Sequence, residues 1–386
     1  MNILQITSYP TVKPQHGGQI RCWQIARCMS EAGHNVTSLA IYPEWAYGDA
    51  GKPDIGIPHS SRFIDHSLPF LSDYFCGLHA AGDVSTKAKL RRVINSVQPD
   101  MLLIEHPWNF EAAYALKPVG SRIVYSSHNI EWRLKMGDLN HDHALVHAIR
   151  KLEFSAVKRA DFSVGCTRQD CDEFATELDA GDHSRVVVAG NGVEPFSCSD
   201  ARVSDWLHYF GKPYAVFVSS AHPPNADGFW EMMAPGLTFL RPDEKIVVIG
   251  GVCNILANRP GFEGFADVNL SRLNMVGARD KGELQAMVRA SHVVLLPITK
   301  GEGSNLKTAE ALEAGVPIVA TRKAFRGYEQ AMSLPHVTIA DEPQAFRRAA
   351  RRLLDAHRVS GCTPQQAVLP YYWNQVLAPF VARVSA

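Results

Sequence analysis

Short apolar runs alternate with longer amphipathic stretches along this 386-residue chain. In the first half the runs fall at 3–6, 36–41, 101–104, 122–125, 162–164 and 186–189. In the second half they fall at 215–218, 246–249, 273–276, 292–296, 317–320 and 337–339. Continuous apolar runs of this length predict parallel strands buried on both faces, and the stretches between them predict covering helices. Two such sets predict an α/β chain of two doubly wound, Rossmann-like domains. The pattern breaks between Glu194 and Gly211, where Pro195, Ser197 and Ser199 intervene. The domains are therefore expected over 1–197 and 210–365. After Pro370 the aromatic stretch 371–377 reads as the start of a last helix.

Composition narrows the class of protein. Hydrophobic residues make up 46% and charged residues 20%, which excludes a disordered chain and leaves enough apolar material for two cores. Lys+Arg and Asp+Glu are both 39, and this balance argues against a general nucleic-acid binder. None of the eight cysteines forms a C-x-x-C pair, so they read as reduced thiols in a cytoplasmic protein. No secretory leader is legible, and no apolar stretch is long enough to span a membrane. The basic stretch 87–94 reads as a solvated helix face or as a contact to the inner face of a membrane.

One segment, 300–321, carries the clearest chemistry. A buried run ends at Leu296, a loop holding Gly301 and Gly303 follows, and a short helix ends at Gly315 before the next run. Such a turn presents free N–H groups and the positive end of a helix dipole, which suits a phosphate. Glu302 in the loop and Glu310 on the helix stand eight residues apart and can accept hydroxyls on either side of it. Phosphate flanked by hydroxyls describes a nucleotide sugar.

This segment resembles the E-x7-E motif of family 4 glycosyltransferases, which are retaining enzymes of the GT-B fold. Further motifs follow in the family's order: Gly17 and Gly18 after the first run, Gly33-His34-Asn35-Val36, His128 at the end of the run at 122–125, and Asn191-Gly192-Val193-Glu194. The stretch 215–225 resembles the first strand and loop of the family's second domain. The resemblance implies two Rossmann-like domains facing across a cleft, the first for the acceptor and the second for the nucleotide sugar. It also implies a C-terminal helix, within 370–386, that crosses back to the first domain.

Site roles follow from the same resemblance. Glu302 is expected to contact the donor sugar and Glu310 the ribose, with Gly303, Ser304, Asn305 and Leu306 holding the diphosphate. Gly17 and Gly18 are expected close to the donor phosphate, and His128 against the reacting sugar. His106 either shapes an acceptor pocket or packs. The family's usual Arg and Lys after the first strand of the second domain are missing from Ser219-Ser220-Ala221-His222-Pro223-Pro224-Asn225. Lys307, or failing it Lys300, is expected to supply that positive charge.

The expected activity is transfer of a sugar from a nucleotide diphosphate sugar to an acceptor hydroxyl. The acceptor is a carbohydrate, a lipid-linked species or a small metabolite. No cofactor and no obligatory metal are expected. The Asp170-Cys171-Asp172 triplet and the His143/His147 pair read as helix features, since side chains two apart on a helix diverge and no third ligand is evident. The alternatives are a nucleotide-sugar 2-epimerase of the same fold and a catalytically silent binding protein.

Overall fold

The structure, a computed structural model, describes residues 1–48, 55–60, 68–139 and 143–386. Its contacts divide the chain into two compact units, Met1–Gly190 with Val376–Ala386, and Asn191–Gln375. Against the expected 1–197 and 210–365, the division falls at Gly190. Beyond it the chain is already tied into the second unit, where Val193 N–H donates to Tyr371 O at 2.9 Å and Tyr328 Oη donates to Asn191 O at 2.8 Å.

The first unit holds a seven-stranded sheet of β1 (Asn2–Thr7), β2 (Asn35–Pro43), β3 (Ile55–His59), β4 (Met101–Glu105), β5 (Arg122–Ser126), β6 (Phe162–Gly165) and β7 (Val186–Val188). The order is β3-β2-β1-β4-β5-β6-β7, and every pairing is parallel. Leu4, Ile6, Leu102, Ile104, Ile123 and Tyr125 point to one face and share a core with Leu90, Ile94 and Phe154 from the covering helices. The expected C-terminal helix forms as Ala378–Ser385, preceded by the single turn Trp373–Val376. Its Phe380 is fully buried and meets Phe162 edge-on at 6.0 Å, which explains why the tail belongs to this unit.

The second unit holds β8 (Tyr214–Val218), β9 (Lys245–Ile249), β10 (Leu273–Gly277), β11 (Val293–Leu296), β12 (Ile318–Ala320) and β13 (Val337–Ile339) in the order β10-β9-β8-β11-β12-β13. All of its pairings are parallel too. Alternate residues feed two cores. Val216, Val247, Val294 and Ile318 pack on one face, and Ala215, Phe217, Ile246, Val293 and Val319 on the other.

Strand order reverses at β1/β4 in the first sheet and at β8/β11 in the second. At such points the loops leaving the carboxyl ends diverge and open a crevice where ligands of α/β sheets bind. The loops after β1 and β4 carry Gly17, Gly18 and His106, and those after β8 and β11 carry 219–225 and 297–305. The residues singled out from the sequence therefore cluster at the switch point of their own sheet.

Candidate functional site

In the second unit, the helix Leu306–Ala314 follows β11 through the glycine loop. Asn305 caps it, accepting the Lys307 N–H at 3.3 Å, and Gly315 ends it with φ 67°, a left-handed turn that glycine adopts without strain. Gly301 and Gly303 have φ of 112° and 67°, so the loop needs glycine at both. Among the described residues, no acceptor is found for the N–H groups of Gly303, Ser304, Asn305 and Leu306. N–H groups without acceptors at a glycine loop and helix start favour an anion. Ser304 is fixed by Asn191, whose N–H donates to its Oγ at 3.0 Å and whose Nδ2 donates to its carbonyl at 2.9 Å.

Lys307 and Glu310 lie on the first turns of this helix. The lysine amine donates to Asn225 Oδ1 at 3.0 Å and so bridges to the loop after β8, where the family's usual cations are missing. Burial lowers its pKa to about 8, against the opposing pull of Glu310. Burial also raises Glu310 above the usual carboxylate range, while Lys307 and Lys281 pull it down. A half-buried lysine at a helix N-terminus is disfavoured by the dipole, so its retention there needs a counter-charge. Glu302 is half-buried in the loop, and no partner for its carboxylate is found among the described residues. Lys300 is exposed. The loop after β8 is held tightly, since a Cβ on Gly250 would lie 2.3 Å from Ser219 O.

Sequence reasoning missed Arg326. Its Nε donates to Gly303 O at 2.8 Å and its Nη1 to Gly301 O, pinning the loop from the segment that follows β12. Six residues past a strand end and outside the 300–321 segment, it left no pattern to read. Arg326→Ala is expected to weaken nucleoside diphosphate affinity about tenfold by loosening the loop, and Arg326→Lys to restore only part, because one amine cannot fork onto two carbonyls. Calorimetric titration checks this.

The first unit builds a separate buried cluster at its own switch point. Tyr9 lies two residues beyond β1. Its hydroxyl meets His106 Nε2 at 2.8 Å and His128 Nδ1 at 3.2 Å. His106 Nδ1 faces Glu131 Oε1 at 3.0 Å, and His128 Nε2 faces Glu105 Oε2 at 3.0 Å. The imidazole centroids are 4.0 Å apart. No motif required a carboxylate-backed histidine, yet the fold assembles two. His106 has φ 64°, a strained setting for a residue with a side chain, held by its N–H bond to Ser126 O.

Electrostatics divide the cluster. Burial drives His128 well below the ordinary imidazole value, aided by His106 and Arg21. Burial raises Glu105, with Arg21 opposing. Burial pushes on Glu131 the same way, but the hydrogen bond from His106 and its electrostatic attraction outweigh it and hold this carboxyl at about 2. Both ring nitrogens of His128 are thus engaged within the unit. Gly17 is exposed at the start of the helix Gly17–Glu31. Gly18 has a packing reason to be glycine, because a Cβ there would lie 2.1 Å from the Tyr9 hydroxyl. Asp170 is spent in a capping box with Thr167, each accepting the other's N–H at 3.0 Å, so it is not free to serve a metal.

Residues 212–356 match the family model described as Glycosyl transferases group 1, and these residues include the whole glycine-loop site. The second unit is a glycosyltransferase domain, and the chain an enzyme of that class. No curated protein matches the sequence. Among solved structures, HepE (Alr3699) of Anabaena in complex with UDP and glucose is similar over 100% of both chains, at 15% identity and a TM-score of 0.69. Sucrose-phosphate synthase of Thermosynechococcus elongatus matches 100% of this chain with 98% of its own, at 13% identity and a TM-score of 0.72. WaaG, a glycosyltransferase involved in lipopolysaccharide biosynthesis, matches 98% of each chain at 14% identity and a TM-score of 0.68. At these identities the likeness shows the fold, a GT-B arrangement of two α/β domains.

Proposed function

We propose that the chain is a retaining, metal-independent glycosyltransferase that takes a sugar from a nucleotide diphosphate donor to an acceptor hydroxyl. The observation that carries this is the meeting, at the β8/β11 switch point, of four unpaired N–H groups, a half-buried lysine and two glutamates, within the segment that matches the glycosyl transferase model. In this reading the N–H groups and the Lys307 amine hold the diphosphate, Glu310 accepts the ribose hydroxyls, and Glu302 accepts from the donor sugar. Acceptor attack on the face the diphosphate leaves from lets a phosphate oxygen take the acceptor proton. The protein then acts by orientation and by stabilising phosphate charge. The first unit, with the Tyr9 cluster at its switch point, takes the acceptor.

HepE is solved with UDP, which makes UDP the first nucleotide to try. At a hundredfold excess over Kd, a binding nucleoside diphosphate should stabilise the protein by about 2.7 kcal/mol, read as a thermal shift. Sugar transfer should survive exhaustive treatment with EDTA. Activity that vanishes and returns only with Mg²⁺ or Mn²⁺ would remove metal independence from the proposal. A product formed from donor alone, with its sugar epimerised, would reassign the reaction to an isomerase.

A further inference from the structure

Three segments of the first unit bring one metal-ligating atom each to a common point. Cys22 lies on the helix Gly17–Glu31, Glu105 is the last residue of β4, and His128 stands two residues beyond β5. Cys22 Sγ lies 3.6 Å and Glu105 Oε2 3.0 Å from the same nitrogen, His128 Nε2, and all three atoms fall within 4.8 Å of one another. Cys22 and Glu105 are fully buried, and His128 is 6% exposed. Among the described residues no other trio of His, Cys, Asp or Glu converges in this way. We propose that these side chains form a zinc site, which clips the helix Gly17–Glu31 to the ends of β4 and β5.

Hydrogen bonding alone leaves this convergence half explained. An imidazole nitrogen carries either one proton or one in-plane lone pair, so it serves one partner along one direction. A bond between Nε2 and Glu105 accounts for the carboxylate and leaves the thiol beside a nitrogen already engaged. An ion seated among the three uses the lone pair, the sulfur and the carboxylate together. With Zn–N and Zn–O of about 2.1 Å and Zn–S of about 2.3 Å, a tetrahedral ion spaces N and S by roughly 3.6 Å and N and O by roughly 3.4 Å. The first spacing is met as it stands, and the second asks the carboxylate to withdraw by about 0.4 Å.

The surroundings aim each ligand at the ion. His128 Nδ1 meets the Tyr9 hydroxyl at 3.2 Å, and as the donor of that bond the ring keeps its lone pair on Nε2. Gln5 Nε2 donates to Glu105 Oε1 at 2.9 Å, which leaves Oε2 to ligate, and to the Cys22 carbonyl at 2.9 Å, which ties down the turn that carries the thiol. Outer partners of this kind orient metal ligands and tune affinity. A thiolate and a carboxylate neutralise a divalent ion, so the site places no net charge beside the buried Arg21. Sulfur with imidazole selects zinc over Mg²⁺, Ca²⁺ or Mn²⁺, which prefer oxygen ligands. Three protein ligands leave the fourth position of the ion to a water. All three belong to the first unit, so the proposal stands apart from the diphosphate site and gives the ion no part in sugar transfer.

Protein expressed with zinc in the medium and passed over a chelating resin should retain stoichiometric zinc, read by elemental mass spectrometry. Expressed with cobalt instead, it should show a thiolate-to-cobalt absorption band in the near ultraviolet. Cys22→Ser keeps the size and hydrogen-bonding capacity of the side chain but ligates zinc poorly, so it should lose the band and most of the zinc. Wild-type protein that retains no zinc, or zinc that stays stoichiometric in Cys22→Ser, would overturn the proposal. If the variant does not fold, X-ray absorption at the zinc edge of the wild type decides. A sulfur in the ligand shell is expected, and a shell of nitrogen and oxygen alone would contradict the site.

Discussion

Glu302→Gln is expected to lower turnover about a hundredfold, close to 2.7 kcal/mol of barrier, while the melting temperature stays unchanged. The carboxylate is half-buried in a glycine loop and, among the described residues, no partner is found for it, so the fold gains little from its charge. In the proposed site it accepts from a sugar whose ring gains positive character as the bond to phosphate lengthens. The amide keeps the shape and loses that charge, so the loss should fall on kcat more than on KM. Glu310→Ala should show the opposite split, with weaker nucleotide affinity and a smaller change in kcat. Near-normal turnover in Glu302→Gln would remove this residue from the site.

The second large effect belongs to Lys307. Its cation is present below about pH 8 and is lost as pH rises through that value. Nucleoside diphosphate affinity should therefore fall above pH 8, and binding there should draw a proton from solution as the anion restores the charge. Lys307→Met is expected to cost about 2 kcal/mol of binding, near thirtyfold, and to flatten this pH dependence. Stability moves the other way. Between the folded value near 8 and the ordinary lysine value, the unfolded chain binds more protons, so this group's contribution to stability increases with pH. Affinity indifferent to pH between 7 and 9 in the wild type would place the phosphate cation elsewhere, with Lys300 and Arg326 the next to substitute.

Much of the fold was legible because strands buried on both faces must be apolar throughout. Twelve runs marked twelve strands. β3 escaped because it is an edge strand whose Gly56 and Pro58 break the run, and an edge position tolerates both. The glycine loop and its helix were legible because the signals are local: glycine, acid, cap and helix lie within one short segment. Arg326 was not, since it reaches Gly301 and Gly303 from the next loop in the sheet. The Tyr9 cluster was hidden for the same reason. Its five residues come from beyond β1, from the ends of β4 and β5, and from the helix Glu131–Asp138, and only the strand order brings them together. Gly18 was read through an approaching donor, whereas its nearest constraint is the tyrosine hydroxyl.

The central claim is that the glycine loop and Lys307 hold the diphosphate of a nucleotide sugar. Calorimetric titration of the wild type and Lys307→Met with UDP, then with the other nucleoside diphosphates and the matching monophosphates, tests it most directly. The account predicts that one diphosphate binds the wild type well above its monophosphate and that Lys307→Met erases most of that preference. Equal affinity for mono- and diphosphate, or a diphosphate preference untouched in Lys307→Met, would contradict it.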